Sequence, residues 1–216
     1  DSLGPSQGFV DRRYIIVYQD VRGCFQSDGT FDHMPGHIEG KSASKASPPP
    51  IDEASDTYDT IDWLVKNVPG HNGHVGLWGI SYPGFYAAAG MIDAHPALTA
   101  VSPQAPIADW FFDDFHHHGA FFLPHFFNFM WSFGKPRAGP TTEFRKGGNH
   151  GTPDGYQFFL DLGGLSNVDP KCYHDELPYW KVVAPHPNYD DYWRARNLLP
   201  HLHRTAPAVM TVGGWF

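Results

Sequence analysis

The six residues Gly79-Ile80-Ser81-Tyr82-Pro83-Gly84 set one serine between glycines. They follow the mostly apolar run His74-Val75-Gly76-Leu77-Trp78 and precede the small-residue run Ala87-Ala88-Ala89-Gly90. A strand that passes at once into a helix forces the serine between them into a strained backbone conformation. Small neighbours allow that conformation, which lifts the serine Oγ above the sheet edge. The helix N-terminus then turns its free N–H groups and the positive end of its dipole toward that oxygen. A negative charge forming beside Ser81 would be stabilised there, with the Tyr82 backbone N–H as the natural donor. The chemistry these residues could do is nucleophilic acyl transfer. The plainer reading of the same residues is a buried serine in a tight turn. Pro83 stands where the usual Gly-x-Ser-x-Gly spacing has glycine, and glycine follows one residue later.

The elements that would position Ser81 are read from hydrophobic patterning. Tyr14-Ile15-Ile16-Val17-Tyr18-Gln19-Asp20 is β-branched and aromatic and predicts a central parallel strand. A loop from Cys24 to Pro50 follows and ends in Ser47-Pro48-Pro49-Pro50. From Asp52 to Asn67, apolar residues at Ala54, Tyr58, Ile61, Leu64 and Val65, with Val68 just beyond, keep the spacing of an amphipathic helix, with Asp52 and Glu53 at its dipole-favoured start. Leu98-Thr99-Ala100-Val101-Ser102 predicts the next strand, and Pro207 to Trp215 predicts a last buried strand with a glycine turn. Between them, from Ile107 to about His203, the alternation dissolves into aromatic, histidine-rich and proline-rich sequence that reads as a cap. The expected division is therefore 1–106 core, 107–203 cap insertion and 204–216 returning core strand. Strand, helix, strand, helix, strand, cap, strand implies a right-handed α/β parallel sheet with helices on both faces, cut at both ends.

Composition bounds the partners. Lys plus Arg is 15 and Asp plus Glu is 23, a net of −8, which disfavours a nucleic-acid or anionic-membrane surface. No stretch approaches the roughly 18 consecutive apolar residues of a membrane span. The first residues, Asp1-Ser2-Leu3-Gly4-Pro5, carry no leader pattern, and localisation is left unassigned. Aromatics make up 16% of the chain, enough for an aromatic-lined cavity as well as a core, and tight packing alone would also account for them. Cys24 and Cys172 lack the spacing of a zinc or redox motif, and both a disulfide and two thiols remain open. The run His116-His117-His118 invites a metal reading, but adjacent side chains splay apart, so no metal and no cofactor is expected. The expected partner is a small-molecule substrate, with a homo-oligomer left open.

Five stretches, in this order, resemble one family of α/β-hydrolase serine hydrolases: cocaine esterase, α-amino-acid ester hydrolase, glutaryl-7-aminocephalosporanic acid acylase and the X-Pro dipeptidyl-peptidases. They are Tyr18-Gln19-Asp20-Val21-Arg22-Gly23 with Ser27-Asp28-Gly29, then Gly79 to Gly84, then Asp113-Asp114-Phe115-His116 with His118-Gly119-Ala120-Phe121. Tyr189-Asp190-Asp191-Tyr192-Trp193 and Gly213-Gly214-Trp215-Phe216 complete the set. The family elbow is Gly-x-Ser-Tyr-x-Gly, which accommodates Pro83.

The resemblance implies an α/β-hydrolase fold with an inserted helical cap. It implies cleavage of a small ester or amide, of the acyl ester, α-amino acid ester or β-lactam side-chain type, through an acyl-Ser81 intermediate. Tyr82 N–H would be one oxyanion donor, Asp114 would bind a substrate ammonium group unless Asp113 and Asp114 instead cap or anchor the first helix of the cap, and Trp110 and Phe115 would line the pocket. It further implies an upstream tyrosine hydroxyl, an aspartate directly after Phe216 and a later histidine. The 216 residues taken alone are therefore expected to be catalytically incomplete, a non-catalytic fragment. X-Pro dipeptidyl-peptidase activity is the other family reading, and a metal-dependent hydrolase using the histidine cluster is a third. His95, His116, His117, His118, His125, His150, His174, His186, His201 and His203 all precede the strand that would carry the acid. They are therefore assigned to cap, structural or surface roles.

Overall fold

The computed structural model describes residues 4, 6–39, 50–144 and 147–215. A short helix α1, Gln7–Asp11, opens the chain. The amphipathic stretch forms α2, Glu53–Asn67, as its pattern predicts. Its start is fixed by a reciprocal cap: the Ser55 N–H donates to the Asp52 carboxylate, and the Asp52 N–H donates to Ser55 Oγ, both at 2.9 Å. Then come β1, Val75–Ile80, α3, Tyr82–Gly90, and β2, Leu98–Gln104.

The sequence from 107 to 203 supplies a π-helical turn at Phe111–Phe115 and the two-residue strands β3, His116–His117, and β4, Ala120–Phe121. Four helices follow it: α4, Leu123–Phe133, α5, Gly155–Leu162, α6, Pro178–Val183, and α7, Asp191–Arg194. The last strand, β5, is Ala208–Val209.

The sheet is parallel in the order β1-β2-β5, with Leu77 opposite Val101 and Val101 opposite Val209. Helix α3 lies on one face of it. All of α3 except Pro83 and Tyr86 is buried, because Ala87, Ala88, Ala89 and Gly90 are small enough for its backbone to sit close to both α2 and β1. A Cβ on Gly90 would stand 2.7 Å from Thr57 Oγ1 and 3.1 Å from Leu77 Cδ2. One continuous apolar cluster joins α3 to the 107–203 segment, through Phe85, Trp110, Phe115, Phe126 and Trp193.

Two expected strands turn out differently. Residues 14–20 form no ladder among the described residues, and Tyr18 is 71% exposed. The segment runs beside α2 instead, tied by the Gln19 amide to Thr60 Oγ1 at 2.9 Å and, just beyond, by the Arg22–Asp56 ion pair. An apolar β-branched run becomes a buried strand only where a neighbour takes its backbone hydrogen bonds and its faces are covered, and neither condition holds here. The return from Pro207 to Trp215 does join the sheet, through Met210 N–H to Val101 O at 2.9 Å and Val212 N–H to Pro103 O at 3.2 Å. It is an exposed edge rather than a buried strand. On the face away from α3, Trp78 is 43%, Ile80 48% and Met210 62% exposed. Among the described residues, helices cover only the other face.

Glu53 occupies the first turn of α2. Burial, then the carboxylates of Asp56 and Asp52, push its carboxyl up to about 7, against the opposing pull of Arg22. The folded protein therefore keeps this proton over a range in which the unfolded chain, with an ordinary Glu near 4.5, has released it. Stability is lost as pH rises from there through 7. Glu53→Gln is expected to raise stability at pH 8 by about 1–3 kcal/mol and to leave it unchanged at pH 4, read from urea unfolding at the two pH values.

Candidate active site

Ser81 lies exposed between the last residue of β1 and the first of α3, at φ 64° and ψ −122°. A non-glycine residue there costs of order 1–3 kcal/mol and persists only where its surroundings over-determine it. The surroundings are on both sides. The Ser81 N–H donates to Gln104 O at the end of β2 (2.9 Å), and the Ser81 carbonyl accepts the Phe85 N–H (3.0 Å). Gly79 and Gly84 are demanded by contact: a Cβ on Gly79 would overlap the Pro83 carbonyl, and one on Gly84 would overlap the Gln104 carbonyl and sit 3.2 Å from Pro106 Cα. Pro83 falls in the first turn of α3, where its missing N–H leaves nothing unsatisfied. The elbow is thus built as the sequence predicts, with glycine one residue later than the common spacing.

The Tyr82 N–H is the first amide of α3 and has no acceptor within the helix. It is adjacent to the Ser81 hydroxyl. The Tyr82 ring turns the other way, into the core, where it stacks on Phe129 at 5.9 Å and meets Trp110 at 5.1 Å. Burial drives its phenol well above the ordinary range, so the ring is neutral. Among the described residues, no histidine or aspartate is hydrogen-bonded to Ser81.

The other expected site residues are placed as follows. Trp110 and Phe115 are fully buried and stack on each other at 5.8 Å, so their side chains belong to the core cluster rather than to an open pocket wall. Asp114 is partly buried beside His125, with Oδ2 3.6 Å from Nε2, and this carboxylate raises the His125 pKa. The anchoring role goes to Asp113, whose Oδ2 accepts the N–H groups of Ala108 and Asp109 at 2.8 and 2.9 Å.

His116, His117 and His118 do not converge. His116 is buried and stacked on Phe111 at 3.8 Å, His117 lies against Phe122 at 4.6 Å, and His118 sits in the β3–β4 turn at φ 51°. Among the described residues no three of His, Cys, Asp and Glu gather as metal ligands. Cys24 and Cys172 form no disulfide.

Sequence reasoning missed two buried polar groups. Asp109 accepts Tyr189 O–H at 2.7 Å, Asn197 Nδ2 at 2.8 Å and the Phe111 N–H at 3.2 Å, so it pins the start of the 107–203 segment to its end. Tyr189-Asp190-Asp191-Tyr192-Trp193 is the other half of that clasp. Asp190 takes the Tyr192 N–H and contacts His186 Nδ1 at 2.6 Å, and Trp193 Nε1–H donates to the His186 carbonyl at 2.8 Å. His33, whose Nδ1 lies 3.4 Å from the Tyr82 hydroxyl, was not singled out at all. A loop histidine carries no periodicity that would reveal it.

Residues 2–216 match the family model described as X-Pro dipeptidyl-peptidase (S15 family). The chain belongs to that family. Within and around it, the chain is 23% identical to the cocaine esterase of Rhodococcus sp. (strain MB1 Bresler) over 96% of its own length and 34% of that protein. Among solved structures it resembles an aminopeptidase from the marine sediment archaeon Thaumarchaeota archaeon. That match has a TM-score of 0.79 and 34% identity, over 96% of this chain and 33% of the other. An α-amino acid ester hydrolase labelled with selenomethionine matches at TM-score 0.79 and 32% identity, over 95% of this chain and 32% of that one. This S15 chain has an α/β-hydrolase fold, and it spans about a third of the length of these relatives.

Two outcomes test the account of the elbow and its surroundings. Gly84→Ala is expected to cost at least about 2 kcal/mol in chemical unfolding, because the overlapping atoms are backbone and cannot step aside. His116 has its pKa lowered by burial, so its contribution is intact above the ordinary value of 6.5 and is lost as pH falls through the lower folded value. His116→Phe is expected to flatten the fall in stability between pH 7.5 and 5, measured by urea titration at each pH.

Proposed function

We propose that the protein carrying this chain is a serine hydrolase with Ser81 as its nucleophile, acting on a small ester or amide. The observation that carries this reading is the exposed Ser81 at φ 64°, held by β2 on one side and α3 on the other, beside a free helix-terminal amide. Ser81 Oγ attacks the acyl carbon, its proton passes to a base, and the carbonyl oxygen takes up negative charge within reach of the Tyr82 N–H. Collapse of the tetrahedral species expels the alcohol or amine, which regains that proton, and leaves acyl-Ser81. Water then repeats the sequence and frees the acid. The resemblance assigns the base to a histidine, oriented by an aspartate, downstream of the Gly213-Gly214-Trp215-Phe216 stretch. Residues 107–203 act as the cap of this site.

The relatives' names span ester and peptide cleavage, and transfer of an acyl group to water is the net reaction those names share. Two of the named structures act, by name, on aminopeptidase or α-amino acid ester substrates. Asp114 keeps a carboxylate near the surface that no backbone amide consumes, which suits a substrate bearing an ammonium group. X-Pro dipeptide release is the second reading, favoured by the family match.

A fluorophosphonate probe is expected to label Ser81 in the full-length protein, and Ser81→Ala to abolish both labelling and turnover with an unchanged unfolding curve. Labelling that survives Ser81→Ala would overturn the assignment. Comparison of aryl esters, α-aminoacyl esters and X-Pro-nitroanilides then separates the substrate classes.

A further inference from the structure

Tyr82 is held at both ends. Its backbone N–H adjoins Ser81, while its buried hydroxyl accepts the Met34 N–H at 3.2 Å and lies 3.4 Å from His33 Nδ1. His33 is itself only 5% exposed, and its ring is fixed edge-on to Phe31 at 4.5 Å and against Tyr179 at 4.6 Å. Tyr179 in turn meets the Tyr192 hydroxyl at 3.0 Å. Phe85, Trp110 and Phe129 close on the faces and edges of the Tyr82 ring. A ring packed on all sides and tethered at its tip is a stiff lever, and the short end of that lever is the amide beside the nucleophile.

We propose that His33 is a positioning residue: together with the Met34 amide it clamps the Tyr82 hydroxyl and so fixes the Tyr82 N–H at the place where an oxyanion forms. This rests on the reading of Ser81 as the nucleophile. The Met34 N–H occupies one lone pair of the phenol oxygen, so the phenol proton must find an acceptor in a site closed to bulk water. His33 Nδ1 provides it when the imidazole proton sits on Nε2. The Tyr86 hydroxyl also interacts with the Tyr82 hydroxyl and is the competing acceptor, so Tyr86→Phe serves as the control. A donor moved by a fraction of an ångström loses much of its worth in a transition state that it barely touches in the ground state. The signature is therefore a lower kcat at nearly constant KM.

The test uses the full-length protein with His33→Phe, which keeps the ring packing and removes Nδ1, with His33→Gln, whose amide oxygen can still accept, and with Tyr82→Phe. For His33→Phe and Tyr82→Phe, we expect kcat on an aryl ester and the rate of fluorophosphonate labelling to fall about 10- to 100-fold, with KM within about twofold. The double variant should lose no more than either single one, and His33→Gln should recover to within about threefold of the unaltered protein. The Tyr82 amide resonance should move in His33→Phe and return in His33→Gln. If His33→Phe does not fold, Tyr82→Phe, which leaves every ring in place, carries the same comparison. Labelling of His33→Phe at the unaltered rate, losses that multiply in the double variant, or a loss produced by Tyr86→Phe alone would overturn the clamp while leaving Ser81 as nucleophile. An unaltered protein that the probe does not label would overturn the hydrolase reading, and the clamp with it.

Discussion

The close passage of α3 over the ends of β1 and β2 is the constraint from which the rest follows. The backbone at Gly79 touches the Pro83 carbonyl, and the backbone at Gly84 touches Gln104, so neither position has room for a side chain. With the helix so near, Ser81 can only bridge strand and helix at positive φ, and the Ser81-to-Gln104 hydrogen bond locks it there. The strain sits in the one residue whose hydroxyl then faces outward, while its helix is buried almost all round. A polar side chain in Ala87, Ala88 or Ala89 would have to be buried without a partner. The small-residue run is therefore as much a condition of the elbow as the glycines are.

The sheet that supports this turn is lopsided. Its α3 face is packed and its other face presents Trp78, Ile80 and Met210 to solvent, while residues 14–20 keep strand-like sequence without a strand's hydrogen bonds. These are the same fact seen twice. An apolar face and an apolar strand each acquire their structure from a neighbour, and among the described residues that neighbour is missing for both. The turn at Ser81 escapes this dependence because everything it needs, β2, α3 and the loop 104–106, lies within about thirty residues of sequence.

That difference also decides what was legible in the sequence. The elbow, the helix from Asp52 and the strand at Leu98 are local signals: glycine spacing, a 3.6-residue period with an acidic start, and a short apolar run. Each is realised as read. The strands at 14–20 and 207–215 were read by the same rules, but whether such a run is buried is settled by partners elsewhere in the fold. Trp110 and Phe115 show the same limit inside the 107–203 segment. Their types fit a pocket wall and a core equally well, and only packing against Phe85 and Phe126 decides for the core. His33 and Asp109 gave no signal because a buried polar residue is recognised by its partners, which lie 49 and 80 positions away in Tyr82 and Tyr189.

Those long-range polar contacts do what the apolar cluster cannot. The 107–203 segment is rich in Phe and Trp, and interchangeable rings bury area without specifying which ring lies against which. Asp109 has donors from Tyr189, Asn197 and the Phe111 amide, and this arrangement is satisfied in one register only. A shift of the segment by a single residue would leave a carboxylate buried without donors, a penalty much larger than the loss of any one ring contact. The Tyr82 hydroxyl, with Met34 and His33, imposes the same kind of choice at the other end of the cluster, where the rings of the 107–203 segment meet α3. Two polar anchors thus hold a permissive aromatic mass in one alignment, and one of them is attached directly to the residue that follows Ser81.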